Sequence, residues 1–276
     1  MKAACDGGAK VVVAAGFLQG SALAKAAEEF KDVNFVFIDG WPLTDAAGAV
    51  LTTVAPIAFQ EEQCGYFAGY AVVKEGFTKL GFSGGGGGTN PACCRYGYGF
   101  VQGANAAAAE MGVNVDMMYS WLYGESYSDS PELQTMVNGW YENGTQIVFA
   151  CGGDMFLSVT AAASANDGKV VGVDTDQSFA SETVVTSALK GVSSATAWAI
   201  NKFYDSKWAE IGGIQANLGV NDNSVGIPTE TWSMKNFTVE QYNKVFEDVK
   251  AGTLVVDNDY ANLEQTYSNL TLNIVK

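Results

Sequence analysis

The chain has 276 residues, 48% hydrophobic and 16% charged, enough for one large or two ordinary folded domains and inconsistent with bulk disorder. Asp and Glu outnumber Lys and Arg by 30 to 15, a formal net charge of −15, the opposite of the basic footprint of a nucleic-acid binder. Histidine is absent, which removes the commonest general base and metal ligand, and the five cysteines (Cys5, Cys64, Cys93, Cys94, Cys151) spell no C-x-x-C metal or redox motif.

The predicted elements alternate along the chain. The opening "MKAACDGG" reads as the end of a helix, and "AKVVVAAGF" (9–17) as a short buried strand. Helical spacing follows in 21–30, with Ser21 as a candidate cap. Strands are expected over 33–40 and 48–56, a helix over 61–76, a strand over 79–85 and a helix over 96–112. The pattern continues with a strand over 113–121, a helix over 130–144 with Pro131 in its first turn, and a strand over 145–153. A helix over 155–167, strands over 169–177 and 183–190 and a long helix over 193–210 complete the series. The closing "YANLEQTYSNLTLNIVK" gives no clear pattern. No apolar run approaches the 18 or so residues of a spanning helix, and no signal peptide is visible.

Strands that are apolar nearly throughout and alternate with helices imply parallel sheets covered on both faces, an α/β fold. Ligands in such folds sit beyond the carboxyl ends of the strands. Here those ends read "AAGF", "IDG", "SGGGGG", "ACGGDMF" and "GVDTDQ", rich in Gly, Asp and Phe. Each is ordinary turn chemistry by itself. Together on one rim they outline a site for a polar, uncharged, ring-bearing ligand.

The stretch "KLGFSGGGGGTNPACCRYGYGF" (79–100) tests two catalytic readings. Gly81, Ser83 and Gly85 spell the G-x-S-x-G of a hydrolase elbow, but no histidine exists to activate Ser83. The glycines suggest a phosphate loop, but no Lys-Ser/Thr follows them, and the dinucleotide spacing fails as well. No catalytic residue and no metal set is assigned. Buried free thiols are the default for the cysteines, with a strained Cys93–Cys94 vicinal disulfide as the alternative.

The same stretch resembles the G-[FV]-x-G-G…P…R-[FY]-x-x-G-F-x-x-G segment of the basic-membrane-protein family, through Gly84, Gly85, Pro91, Arg95, Tyr96, Gly99, Phe100 and Gly103. "GAKVVVAAGFLQGSALAKAAEEFKDVNFVFID", "FQEEQCGYFAGYAV", "GESYSDSP", "QIVFACGG", "VVGVDTDQS" with "VVTSALK", and "VGIPTETWSMKNFTVEQYNKVFEDVKAGTLVV" resemble further family blocks in the same order. The glycine run is a departure, standing where the family has a short non-glycine stretch. A second departure is the start. The family's signal peptide, lipobox cysteine, first strand and D-x-S-F-N-Q helix have no counterpart here, so part of the binding site is expected to be missing.

These relatives are substrate-binding lipoproteins of ABC transporters, typically receptors for purine nucleosides. The resemblance implies a periplasmic-binding-protein type I fold of two α/β lobes that close on a ligand in the cleft between them. Lobe one is expected over 1–77 and 192–219, lobe two over 78–191 and 220–276. It implies a ligand-binding set of Phe17 to stack on the base, Asp39 to accept hydrogen bonds, Gly152 and Gly153 to admit close backbone approach, and Asp174 with Lys190 to hold the ribose. Asp154, Asp176 and Trp121 are lesser candidates. The implied function is delivery of a nucleoside such as inosine, guanosine or adenosine to a permease. The implied location is extracytoplasmic and lipid-anchored to the membrane, with no nucleic-acid partner, no cofactor and no enzyme activity. A sugar- or nucleobase-binding protein or sensor on the same fold is the alternative.

Overall fold

A computed structural model describes residues 1–276. In chain order it contains α1 (Lys2–Asp6), β1 (Val11–Ala15), α2 (Gly20–Glu29), β2 (Asn34–Ile38), β3 (Val54–Phe59), α3 (Glu61–Glu75), β4 (Lys79–Gly84), α4 (Pro91–Met111), β5 (Val115–Ser120) and α5 (Pro131–Glu142). Then come β6 (Ile147–Cys151), α6 (Met155–Ala165), β7 (Lys169–Asp174), β8 (Val184–Lys190), α7 (Val192–Tyr204), β9 (Ala216–Leu218), β10 (Val225–Gly226), α8 (Val239–Lys250) and β11 (Leu270–Val275).

The α/β alternation is as the periodicity predicts, with local differences; the helix expected over 193–210, for one, ends at Tyr204. Ser21 does not cap α2; that helix grows out of a single 3-10 turn, Phe17–Gln19, and its N-cap residue Gln19 makes no side-chain cap. The strand expected over 48–56 starts only at Val54, because residues before it form a turn in which Thr44 bridges Val50. The helix expected from residue 96 starts at Pro91, where the Asn90 side chain accepts from the amides of Ala92 and Cys93. Asparagine capping with proline at N1 is a strong start signal.

The chain divides into two compact units, residues 1–59 with 191–224, and residues 60–190 with 225–276. The first unit has a four-stranded sheet in the order β1-β2-β3-β9, parallel throughout. Its core gathers Leu23 and Ala27 of α2 against Phe35 and Phe37 of β2 and Val54 of β3.

The second unit has a seven-stranded sheet in the order β10-β8-β7-β6-β4-β5-β11. All neighbours are parallel except β10 on β8. Because β4 comes first in the chain and lies between β5 and β6, the strand order reverses beside it. The crevice between the loops after β4 and β6 is therefore the topological switch point, where open α/β sheets take ligands. Phe82 stacks on Tyr119 with centroids 4.4 Å apart, and Phe149 packs edge-on to Phe82 and Tyr96. On the other side Leu133, Val137 and Trp140 of α5 meet Val148 of β6 and Phe156 and Val159 of α6.

Helix α3 lies in the second unit, whereas the expected boundary at residue 77 put it in the first. The reason is visible in four glycines. A Cβ on Gly65 would strike the carbonyl of Tyr96, and one on Gly69 that of Phe100. A Cβ on Gly99 would strike the carbonyl of Glu62, and one on Gly103 that of Tyr66. Two Gly-x-x-x-Gly faces thus bring the backbones of α3 and α4 into direct contact, as small residues do wherever helices approach closely.

Candidate ligand-binding site

The glycine run is a seat for two aromatic rings. Gly86, Gly87 and Gly88 hold φ of 73°, 58° and 76°, the left-handed region that side chains disfavour. A Cβ at Gly84 or Gly88 would press on the Trp121 indole, and one at Gly85 or Gly86 on the Tyr127 ring. The loop carrying these rings is tied down by backbone bonds from Gly86 N to Gly124 O (3.0 Å) and from Asp154 N to Tyr127 O (2.8 Å).

Gly152 (φ 145°) and Gly153 (φ 48°) follow β6 at the switch point. The space that their missing Cβ atoms leave holds Tyr127. A Cβ on Gly152 would lie 2.9 Å from Tyr127 Cδ1, and one on Gly153 would lie 2.8 Å from the Tyr127 carbonyl oxygen. Tyr127 itself has φ 60° and is half-buried. Its placement at this edge is not legible in the sequence, because a left-handed tyrosine depends on the tertiary seat that the glycines build.

Asp174 ends β7 and Lys190 ends β8, on neighbouring strands of the same edge. Lys190 Nζ lies 3.1 Å from Asp174 Oδ1. The Tyr96 hydroxyl donates to the same oxygen at 2.9 Å, and the ammonium sits 5.8 Å from the Tyr96 ring centroid. Burial first, then the Asp174 charge, pushes the Tyr96 phenol well above its ordinary value, so it stays a donor. The Lys190 side chain is only 5% exposed, whereas that of Asp174 is 42% exposed. Both protein donors converge on Oδ1 of a carboxylate that is otherwise well exposed. Asp174 also has φ 64°, a left-handed conformation that turns its side chain out of the strand's alternation. Tyr96 lies in the family-like segment but is not among the sequence-derived site residues; no local pattern signals a contact across 78 residues.

Of the two lesser acidic candidates, Asp154 is exposed before α6 and makes no side-chain cap there, whereas Asp176 has structural partners. Asp176 Oδ2 accepts from the Thr231 hydroxyl at 2.6 Å and Oδ1 from the Ser178 amide at 3.0 Å. Burial opposes its ionisation, but those bonds hold its carboxyl below the usual range. Gln177 folds back, its Oε1 accepting from Val173 N at 2.8 Å. Trp121 packs on the glycine loop and on Phe82. Ser83 is 0% exposed inside β4, between Ser120 and Ala150, and cannot present a nucleophile. The five cysteines are buried and free, and Cys94 Sγ is turned to the Gly88 carbonyl at 3.3 Å.

In the first unit, Phe17 and Asp39 follow adjacent parallel strands, β1 and β2, and lie at one sheet edge. The Gly16 amide donates to the Ile38 carbonyl at 3.0 Å, joining the two turns. Phe17 and Asp39 are both half-buried, and Asp39 is left-handed at φ 57°.

Two α/β units built on largely parallel sheets, with polar and aromatic groups at the carboxyl ends of the strands, have the fold of the periplasmic-binding class. Solved structures agree on that fold. A solute-binding protein of an ABC transporter system from Conexibacter woesei DSM 14684 is 18% identical, with a TM-score of 0.67 over 93% of this chain and 82% of that one. One from Aeropyrum pernix K1 is 20% identical, with a TM-score of 0.64 over 95% of this chain and 75% of that one.

The family is fixed by sequence. The Bmp profile, described as ABC transporter substrate-binding protein PnrA-like, matches residues 1–258, and the chain belongs to that family. The ABC transporter nucleoside-binding protein BmpA of Lactococcus lactis subsp. cremoris (strain MG1363) is 26% identical over 248 residues, 83% of this chain and 67% of the relative. The role this family describes is binding of a small substrate for an ABC transporter, not catalysis.

Proposed function

We propose that the protein binds a purine nucleoside and delivers it to an ABC transporter permease. The observation that carries this reading is the Asp174–Lys190–Tyr96 cluster. A part-exposed carboxylate held through one oxygen, beside a buried ammonium, suits a sugar diol, which both donates and accepts. Charge-assisted bonds of this kind are about twice as strong as neutral ones. Tyr127, seated on Gly85, Gly86, Gly152 and Gly153, supplies a ring face for the base. Phe17 and Asp39 are the first unit's contribution. Ligand binding then favours a closed form by population shift. In the same reading the protein works outside the cytoplasm, held at the membrane by a lipid anchor. No helix is long and apolar enough to cross a membrane.

The test is a thermal-shift screen of inosine, guanosine and adenosine against free purine bases and pentose or hexose sugars. Nucleosides are expected to raise Tm most, because a ligand at 100 times its Kd adds about 2.7 kcal/mol of stability. Stabilisation by sugars or bases with none by nucleosides would replace this reading.

A further inference from the structure

Asp174 stands at the centre of a tight turn. The Thr175 amide donates to the Val173 carbonyl at 2.7 Å, across a residue whose φ is 64°. Such a bond between residues i and i+2 about a positive-φ centre makes the rarer, strained form of the γ-turn. A non-glycine residue keeps that conformation only where its surroundings over-determine it.

Gln177 supplies those surroundings. Its Oε1 accepts from the Val173 amide at 2.8 Å, on the strand just before the turn. Its own amide donates to Ser187 Oγ of β8 at 3.1 Å, and its carbonyl accepts from the Ala180 amide at 3.0 Å. One residue thus ties the exit of the turn to its entry and to the neighbouring strand. The sheet leaves room for it. Gly172 pairs with Ser187 across β7 and β8, and a Cβ on Gly172 would lie 2.6 Å from both Gln177 Oε1 and Ser187 Oγ. A glycine inside a strand marks such a close approach. The residue before Gln177 is anchored as well, since Asp176 takes the Thr231 hydroxyl and the Ser178 amide.

We propose that Gln177 is a positioning residue, holding the strained turn that presents the Asp174 carboxylate to the ligand. This role rests on the reading of Asp174 as the acceptor of a sugar diol, and it adds the group that sets where that acceptor stands. Without the Gln177 oxygen the Val173 amide loses its partner. The turn then relaxes toward the extended conformation of β7, and the carboxylate leaves its place beside Lys190 and Tyr96.

The test uses Gln177→Met, which keeps the length of the side chain and removes the acceptor. In the ligand-free, full-length protein, amide hydrogen exchange at Val173 and Thr175 is expected to quicken about tenfold. By titration calorimetry, inosine affinity is expected to fall about tenfold, whereas that for 2′,3′-dideoxyinosine, which brings no diol to Asp174, stays close to wild type. A residue that only supports the fold would lower Tm and leave the ratio of the two affinities where it was. If Gln177→Met does not fold, Ser187→Ala, which takes away the acceptor of the Gln177 amide, is read in the same two ways. Unchanged exchange at Val173 and Thr175 overturns the proposal whatever the ligand, and so does an unchanged affinity ratio. Failure of wild type to bind any nucleoside instead removes the functional reading, and the exchange rates still decide whether Gln177 holds the turn.

Discussion

Tyr96 and Asp174 are joined by a 2.9 Å hydrogen bond in which the phenol donates to Oδ1, the oxygen that Lys190 also contacts. A buried side chain of α4 therefore fixes the orientation of a strand-end carboxylate. Tyr96→Phe keeps the ring and removes the donor. Inosine affinity is expected to fall about tenfold, or about 1.4 kcal/mol. Its advantage over 2′,3′-dideoxyinosine should narrow, since the carboxylate is no longer held for the diol. Titration calorimetry with both ligands checks this, and an unchanged gap would leave Tyr96 a packing residue.

The α3–α4 contact predicts opposite outcomes for two Gly→Ala changes. Gly69→Ala drives a methyl into the Phe100 carbonyl and should cost about 3 kcal/mol, the upper end of overpacking penalties. Gly139 lies inside α5 with nothing within 4 Å of its missing Cβ. Gly139→Ala should stabilise by about 0.5–1 kcal/mol through helix propensity. Urea unfolding midpoints of the two variants give the comparison directly.

Glu61 and Glu62 open α3, both buried, and share one cation. Arg95 donates from Nε to Glu61 Oε2 at 2.7 Å, with Glu62 Oε2 3.7 Å away and hydrogen-bonded to nothing. Burial pushes the Glu62 carboxyl up to about 7, Arg95 opposing and Glu61 and Asp257 reinforcing. The folded state thus holds a proton that the unfolded chain releases near 4.5. The contribution is present below pH 4.5 and is lost as pH rises through 7, an amount of the order of 3 kcal/mol. Glu62→Gln should flatten that decline, so its stability relative to wild type grows between pH 5 and 8. Chemical unfolding at several pH values measures it; parallel curves would contradict the assignment.

Neighbouring glycines of the run should respond differently. Gly87 has φ 58° and no backbone near its missing Cβ, so Gly87→Ala should cost only the left-handed penalty, about 1–2 kcal/mol. Gly86→Ala bears the same penalty and also displaces the Tyr127 hydroxyl. It should lower both Tm and ligand affinity, whereas Gly87→Ala lowers Tm alone.

The alternation of strands and helices was legible because each buried strand is a continuous apolar run, as in "QIVFAC" or "KVVGV". The C-terminal strand β11 was not. It is an edge strand on β5 with only Leu270 buried, so it has no core-facing run to read. Asp174 and Lys190 come from separate strands, and family resemblance rather than spacing singled them out; the structure brings them to 3.1 Å. The roles of Tyr96 and Tyr127 escaped notice because each depends on tertiary contacts, Tyr96 of α4 reaching Asp174 at the end of β7 and Tyr127 resting on the glycines after β4 and β6. Periodicity says nothing about such meetings.

The central claim is that the Asp174 carboxylate receives a ribose hydroxyl. Titration calorimetry of inosine into wild type and Asp174→Asn tests it most directly. Asn is isosteric but uncharged, so the ion pair with Lys190 is lost and the diol loses a charged acceptor. The affinity is expected to fall at least a hundredfold, about 2.7 kcal/mol, with far-ultraviolet circular dichroism unchanged. Equal affinities in the two folded proteins would contradict the account.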